Sequence, residues 1–170
     1  IGLNPKTATA NVDGLMSKGF LNGYTYQNLA VKGSIINGNY KATADINDPN
    51  LEFDLVSEGS FKDQYPRVKL NLNLGIADLQ KLNFNTTPFK VKGQVDADLS
   101  TADPDYLNGK IAIHHLLFAN EKENFQLDSI NILATATAEK TAIQVKSQIL
   151  KANMEGQYQL SQIGTALSNS

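Results

Sequence analysis

The chain has 170 residues, of which 41% are apolar and 19% charged; these values are close to those of ordinary globular domains and argue against disorder. The net charge is -2 and the basic residues, with Arg67 as the one arginine, are scattered singly, which argues against a nucleic-acid site or a polybasic membrane anchor. The absence of cysteine excludes disulfides, thiolate zinc sites and a cysteine nucleophile.

The length fits a single segment over residues 1–170. The sequence contains no run of about 18 apolar residues, the length that a transmembrane helix requires. Ile1 stands at the start without a basic and then apolar leader. We therefore expect the chain to be a piece of a longer protein.

The first predicted hairpin lies between residues 40 and 55. Apolar and polar side chains alternate from Tyr40 to Ile46 and again from Leu51 to Leu55, and a period of two residues is typical of strands. Residues 47–50 read Asn-Asp-Pro-Asn, a strong turn sequence.

The clearest alternation follows in residues 68–76 and 89–99. The apolar positions, which should share one face of the sheet, are Val68, Leu70, Leu72, Leu74 and Ile76 in the first run and Phe89, Val91, Gly93, Val95, Ala97 and Leu99 in the second. Between the runs, apolar positions 76, 79 and 82 predict one or two helical turns. A further helix is expected from Ser161 onward.

The later part of the chain predicts more strands with shifts of phase. Ile111, Ile113, His115 and Leu117 should share a face after a turn at residues 103–105, and another strand begins at Ile143. The alternation changes phase at residues 116–117, 127–130 and 149–150, which predicts bulges or bends that curve the sheet. We expect an all-β fold of about nine or ten strands with little helix.

The sequence contains no pattern typical of catalysis, metal binding or cofactor binding. His114 and His115 are neighbours on a predicted strand and should point to opposite faces, so they could share a metal only at a bulge. The clustered acidic positions do not have the ligand order of an EF-hand and are interpreted as a strand end and a solvated turn: Asp96, Asp98, Asp103 and Asp105. We predict no enzymatic activity, no cofactor and no catalytic or metal site.

The apolar faces of these strands require a cover. Exposing the five apolar side chains of residues 68–76 would forgo about 7 to 15 kcal/mol, at about 1.5 to 3 kcal/mol each. A second sheet in a β-sandwich, the same sheet folded over on itself, or an apolar ligand such as an acyl chain could provide that cover. Periodicity does not distinguish among them.

Several segments together resemble the TamB/AsmA-like family in its Bacteroidetes-type form. The likeness consists of hydrophobic spacing with Gly, Asp-Pro-Asn and Ala-Asp-Leu punctuation, and it runs through residues 37–53, 59–61, 66–74, 77–84, 93–99, 106–111, 143–149 and 155–160. It covers most of the chain and includes no catalytic signature.

The resemblance implies a curved antiparallel sheet folded over an apolar interior, a β-taco or groove with some likeness to a jelly roll. It also implies a long, repetitive periplasmic protein that is anchored in the inner membrane. Such proteins shield phospholipid or fatty acyl chains and support outer-membrane biogenesis. Their partner is an Omp85-type outer-membrane protein, which would bind through regions outside this segment.

The candidate lining of the groove consists of ten apolar residues: Leu51, Phe53, Leu55, Val68, Leu70, Leu72, Leu74, Phe89, Val91 and Val95. Two other functions stay open, a structural or adhesive β-sandwich module with a dry core and a scaffold that assists outer-membrane protein assembly by strand pairing. We also expect that open sheet edges could pair two copies of the segment.

Overall fold

The computed structural model describes residues 4–157, 159 and 161. It contains ten strands and one short 3₁₀ turn at Pro104–Tyr106. The strands are β1 (Thr9–Leu21), β2 (Tyr24–Ile36), β3 (Asn39–Asp48), β4 (Leu51–Ser60), β5 (Arg67–Asp78), β6 (Phe89–Thr101), β7 (Asn108–Asn120), β8 (Asn124–Ala136), β9 (Thr141–Ser147) and β10 (Lys151–Gly156).

All ten strands belong to one antiparallel sheet in which the spatial order is the sequence order. The extensive contacts between strands all join sequence neighbours, so the described chain is a single layer with β1 and β10 at its edges. The predicted all-β class, the number of strands and the low helix content are confirmed.

Two-residue turns of the Asn-Gly type join the first three strands. Asn22 and Gly23 have φ values of 52° and 74°, and Asn37 and Gly38 have values of 48° and 79°. Positive φ at both central positions is the geometry of the type I′ turn, whose twist matches that of the flanking strands. The turn predicted at residues 47–50 is also present, where Asp48 Oδ1 accepts a hydrogen bond of 2.9 Å from the Asn50 backbone N–H.

A bulge occurs at the first of the three positions where the sequence changes phase. His115 has a φ of 50°, and the register between β6 and β7 shifts opposite Gly93, between Lys92 and Gln94. The change at residues 127–130 reflects the same bulge, because Leu127 and Ile130 of β8 pair with Leu116 and Ile113 of β7 in an unshifted register. The third change, at residues 149–150, lies in the turn that joins β9 to β10.

Bulges correct the predicted faces of three residues. A shift between Leu74 and Ala77 places Ile76 opposite Glu52, on the polar face, and Ala77 takes its position on the apolar face. His115 and Leu117 do not continue the face of Ile111 and Ile113, because Leu116 and Phe118 occupy it after the bulge. Their neighbours are Leu127 for Leu116 and Val91 for Phe118.

The helix predicted near residues 76–82 is reduced to a single turn. β5 continues to Asp78, and the Leu82 N–H then donates a 3.0 Å hydrogen bond to the Asp78 carbonyl oxygen. Of the helix expected from Ser161, only Ser161 is described, and residues 162–170 lie outside the described chain. Residues 158 and 160 of the resemblance segment 155–160 also lie outside it.

Substitution of Gly59 by alanine should destabilise the sheet by about 1 to 3 kcal/mol, the usual cost of overpacking. A Cβ at this position would overlap the carbonyl oxygen of Arg67 and lie 2.7 Å from Tyr40 Cε1. Gly14→Ala is the matched control, since a Cβ there meets nothing within 4 Å. Urea unfolding followed by circular dichroism compares the two variants, and equal midpoints would contradict the expected close approach.

Candidate functional site

The ten predicted lining residues lie on one face of the sheet. The central row of this apolar face crosses seven strands with opposed side chains at each step: Val31, Ala44, Leu55, Leu72, Val95, Ile113 and Ile130. Phe53 pairs with Leu74 in the adjacent row, and Val91 pairs with Ala77. The apolar face is therefore continuous across the sheet and not a set of separate patches.

Every one of the ten residues is half-buried, while the polar residues that alternate with them along the strands are exposed. Fully covered core side chains in a two-layer protein are shielded by the opposite layer. Here the shielding comes mainly from neighbours in the same sheet, because the described strands form one layer. The face is large, apolar and only partly covered.

Small side chains leave room in the middle of this face. A row next to the central one contains Gly33, Ala42, Ser57 and Ala97, with Leu70 among them. The Ser57 hydroxyl donates to the Lys69 carbonyl oxygen at 3.0 Å and lies 3.1 Å from the Tyr40 hydroxyl. Its polarity is therefore satisfied within the sheet and adds little to the polarity of the face.

One end of the apolar face is closed, and we call it the capped end. The loop of residues 79–88 between β5 and β6 places Leu82 in one buried cluster with Tyr26 of β2, Ile46 of β3 and Ala77 of β5. Leu82 is 1% exposed, the most deeply buried large side chain among the described residues. One buried cluster that joins residues of β2 and β5, three strands apart, requires the sheet to curl toward its apolar face at this end.

Reciprocal amide hydrogen bonds fasten this loop to the turn between β1 and β2. Asn22 Nδ2 donates to the Asn83 carbonyl oxygen at 3.0 Å, and Asn83 Nδ2 donates to the Asn22 carbonyl oxygen at 3.0 Å. Asn83 has a φ of 62°, a left-handed conformation that asparagine tolerates better than most residues. These two hydrogen bonds hold the loop against the β1–β2 turn, at the curled end of the sheet where Leu82 is buried.

A buried carboxylate supports the capped end from the turn between β3 and β4. Asp48 is 3% exposed, and its oxygens accept hydrogen bonds from the Tyr24 hydroxyl at 2.5 Å and from the Gln27 and Asn50 backbone N–H groups. Burial, followed by the hydrogen bond to Asp48, raises the pKa of Tyr24. This network ties β2 to the β3–β4 turn.

Stacked aromatic side chains mark the opposite end, which we call the open end. Tyr40 stacks on Phe61 with ring centroids 5.2 Å apart, and Tyr65 stacks on Tyr106 at 4.7 Å. None of these four rings is fully buried, and Tyr106 is 39% exposed. The open end therefore has aromatic loops at its rim but no counterpart of Leu82 among the described residues.

The polar face carries charges of alternating sign. Lys41 lies 4.0 Å from Glu58, and Lys69 lies 3.7 Å from Asp98, measured between charged atoms on adjacent strands. A cavity of about 530 Å³ near the open end is lined by these pairs and Arg67 from the polar face, and also by Tyr40, Val68 and Leu99 from the apolar face. Because the charges are paired with one another, the cavity offers little unsatisfied charge to a ligand.

The two histidines lie at the β7 bulge and not on a regular strand. His114 Nε2 lies 3.8 Å from Asp96 Oδ2, while the left-handed conformation of His115 leaves the two ring centroids 6.4 Å apart. The expectation that His114 and His115 point to opposite faces assumed a regular strand, and that assumption was wrong at this position. In the described part of the chain, no three His, Asp or Glu side chains are grouped so that they could hold a metal ion.

Sequence reasoning did not identify the capped end. Leu82 was read as part of a helical pattern, and Tyr26 and Asn22 lie in a first hairpin, β1 and β2, to which no bounds were assigned. The Asn-Gly pair at residues 22–23 is a strong hairpin signal that could have located that hairpin. The contact between Asn22 and Asn83 spans 61 residues and leaves no local signal.

Substitution of Tyr24 by phenylalanine should destabilise the chain by about 1 to 2 kcal/mol at neutral pH, because buried Asp48 loses a donor. The raised pKa of Tyr24 favours the protonated phenol in the folded state. The contribution of protonated Tyr24 to the free energy of unfolding is therefore fully present below the ordinary pKa range of tyrosine. It is lost as the pH rises through the raised pKa. Urea unfolding measured below and above about pH 10 should show that the free energy of unfolding falls less with pH for the variant than for the unaltered chain. An equal fall in both would contradict the assignment.

No helix in the described residues is both long enough and apolar enough to cross a membrane. Comparisons with protein-family models, with curated proteins and with solved structures found no match to this chain.

Proposed function

We propose that this chain is a non-enzymatic segment of a periplasmic β-groove that shields lipid acyl chains and so supports phospholipid transport and outer-membrane biogenesis. The observation that carries the proposal is the apolar face itself. It is continuous across the sheet, and its lining residues are half-buried without a second layer among the described strands. An acyl chain is an occupant that supplies the missing cover without requiring hydrogen bonds.

The energetic basis is the transfer of hydrocarbon from water. Each methylene that moves into the groove gains about 0.8 kcal/mol. A chain that slides along a continuous apolar face keeps most of that gain at each position, so movement needs no catalytic residue. The resemblance to the TamB/AsmA-like family agrees with this proposal and adds an Omp85-type partner, an inner-membrane anchor and a periplasmic location to it.

Strand pairing is a second candidate function, favoured by the character of β1. This edge strand exposes Leu15 at 84% and Phe20 at 76%, and it contains no proline and one lysine, Lys18, to discourage pairing. A scaffold for outer-membrane proteins would bind extended peptides there. The dry β-sandwich module has less support, because the described strands provide no opposing sheet.

Native mass spectrometry of the chain, purified from bacterial cells without detergent, tests the lipid proposal. We expect near-stoichiometric phospholipid or fatty acid, released by solvent extraction. A lipid-free mass together with no uptake of an added fluorescent lipid would contradict the proposal. Bound peptide in place of lipid would favour strand pairing.

Substitution of Leu72 by arginine should weaken lipid binding by at least about tenfold, equivalent to about 1.4 kcal/mol. Leu72 lies in the central row between Leu55 and Val95, where a charge would have to be desolvated by the bound chain. Asn73→Arg is the control, since Asn73 is exposed on the polar face and pairs with Asp54.

Fluorescent-lipid titration measures binding, and circular dichroism verifies folding. The Leu72 variant should fold, because the arginine can extend its charge toward solvent from a half-covered site. If Leu72→Arg unfolds the chain while Asn73→Arg does not, then Leu72 belongs to a packed core and the groove assignment fails.

A further inference from the structure

We propose that the loop of residues 79–88 is an end stop that limits how far an acyl chain extends along the strands, with Leu82 as the residue that sets chain-length preference. This inference rests on the proposed lipid-binding function. It goes beyond that function because it names the class of chain and the residue that selects it.

The first step is the contrast between the two ends of the apolar face. At the capped end, Leu82 fills the space between Tyr26 and Ala77 and is itself 1% exposed. Along the remaining rows of β4, β5 and β6 the inward side chains stay half-buried. A hydrocarbon chain that lies along the strands can occupy those rows, but it meets a filled volume at Leu82.

The second step is the length that remains. The row containing Phe53 packs against the capped end, and the row containing Gly59 lies at the open end, six residues further along β4. At about 3.4 Å per residue in an antiparallel strand, this distance is about 20 Å. One leaflet of a bilayer contains about 15 Å of hydrocarbon, half of the roughly 30 Å core. A single acyl chain of membrane-lipid length therefore fits within this distance.

The third step is that the stop is fixed in place. The amide pair of Asn22 and Asn83 joins the loop to the β1–β2 turn. At the base of the loop, the Leu79 N–H donates to the Phe89 carbonyl oxygen at 2.8 Å, and within it the Gln80 side chain donates to the Thr86 carbonyl oxygen at 3.1 Å. A loop held at its base and at its tip can resist the end of a chain.

The test uses saturated fatty acids of graded length that compete with a bound fluorescent lipid. For the unaltered chain, affinity should rise by about fourfold per added methylene, the equivalent of the transfer gain, until the chain reaches Leu82, and then stop rising. Leu82→Ala removes three side-chain carbons and should move this limit by about two or three methylenes toward longer chains. Leu82→Phe should move it toward shorter ones.

Two further variants keep the test decisive if Leu82→Ala unfolds. Asn83→Gly removes the amide but permits the left-handed backbone, so the loop loosens while Leu82 is retained, and the limit should become less sharp. Leu133→Ala removes the same three carbons from a leucine on the polar face of β8, opposite Lys110, and should leave the limit unchanged.

The outcomes separate the two proposals. If the unaltered chain binds none of the fatty acids, the lipid-binding function fails and this inference fails with it. If the unaltered chain and Leu82→Ala bind fatty acids with the same dependence on chain length, the lipid function stands and the end stop is overturned. Where Leu82→Ala does not fold, Asn83→Gly takes its place in this comparison.

Discussion

The structure depends on a single constraint, which is that one layer of sheet cannot bury its own apolar face. In a sandwich the second sheet provides that burial. Here ten strands follow one another side by side, and the alternation of side chains collects the apolar ones on one surface. The curl at the capped end, where Leu82 shares a buried cluster with residues of β2 and β5, is the local solution to this constraint. The other rows are only partly covered.

The capped end explains how such a sheet can be stable with few buried hydrophobic residues. Tyr26, Ile46, Ala77 and Leu82 form a compact cluster, and the Asp48 network closes it from the side. A buried carboxylate is tolerated because backbone N–H groups and the Tyr24 hydroxyl satisfy its oxygens. Stability concentrated at one end permits the rest of the apolar face to remain open.

Features caused by interactions between sequence neighbours can be predicted from the sequence, whereas features caused by contacts between distant residues cannot. Alternation from Val68 to Leu74 and from Phe89 to Leu99 reports local burial, so the sequence predicted those strands and their shared face correctly. Bulges depend on the opposed strand, which is why Ile76 and Leu117 were assigned to the wrong face. The contact between Asn22 and Asn83 depends on the curl of the whole sheet, and no local pattern encodes it. The alternation of residues does not indicate what covers the apolar face, because leucine and valine suit a packed core and a lipid lining equally.

The distribution of side-chain sizes on the apolar face bears on that last question. A face selected to pack against a second sheet would alternate large and small residues that interlock with a partner. This face instead keeps Gly33, Ala42 and Ser57 together in one row, beside the larger Leu55 and Leu72. These small side chains lie next to the larger ones of the central row, which separates them from the capped end. An unbranched hydrocarbon chain can cover such an uneven face because it is flexible and needs no matching contour.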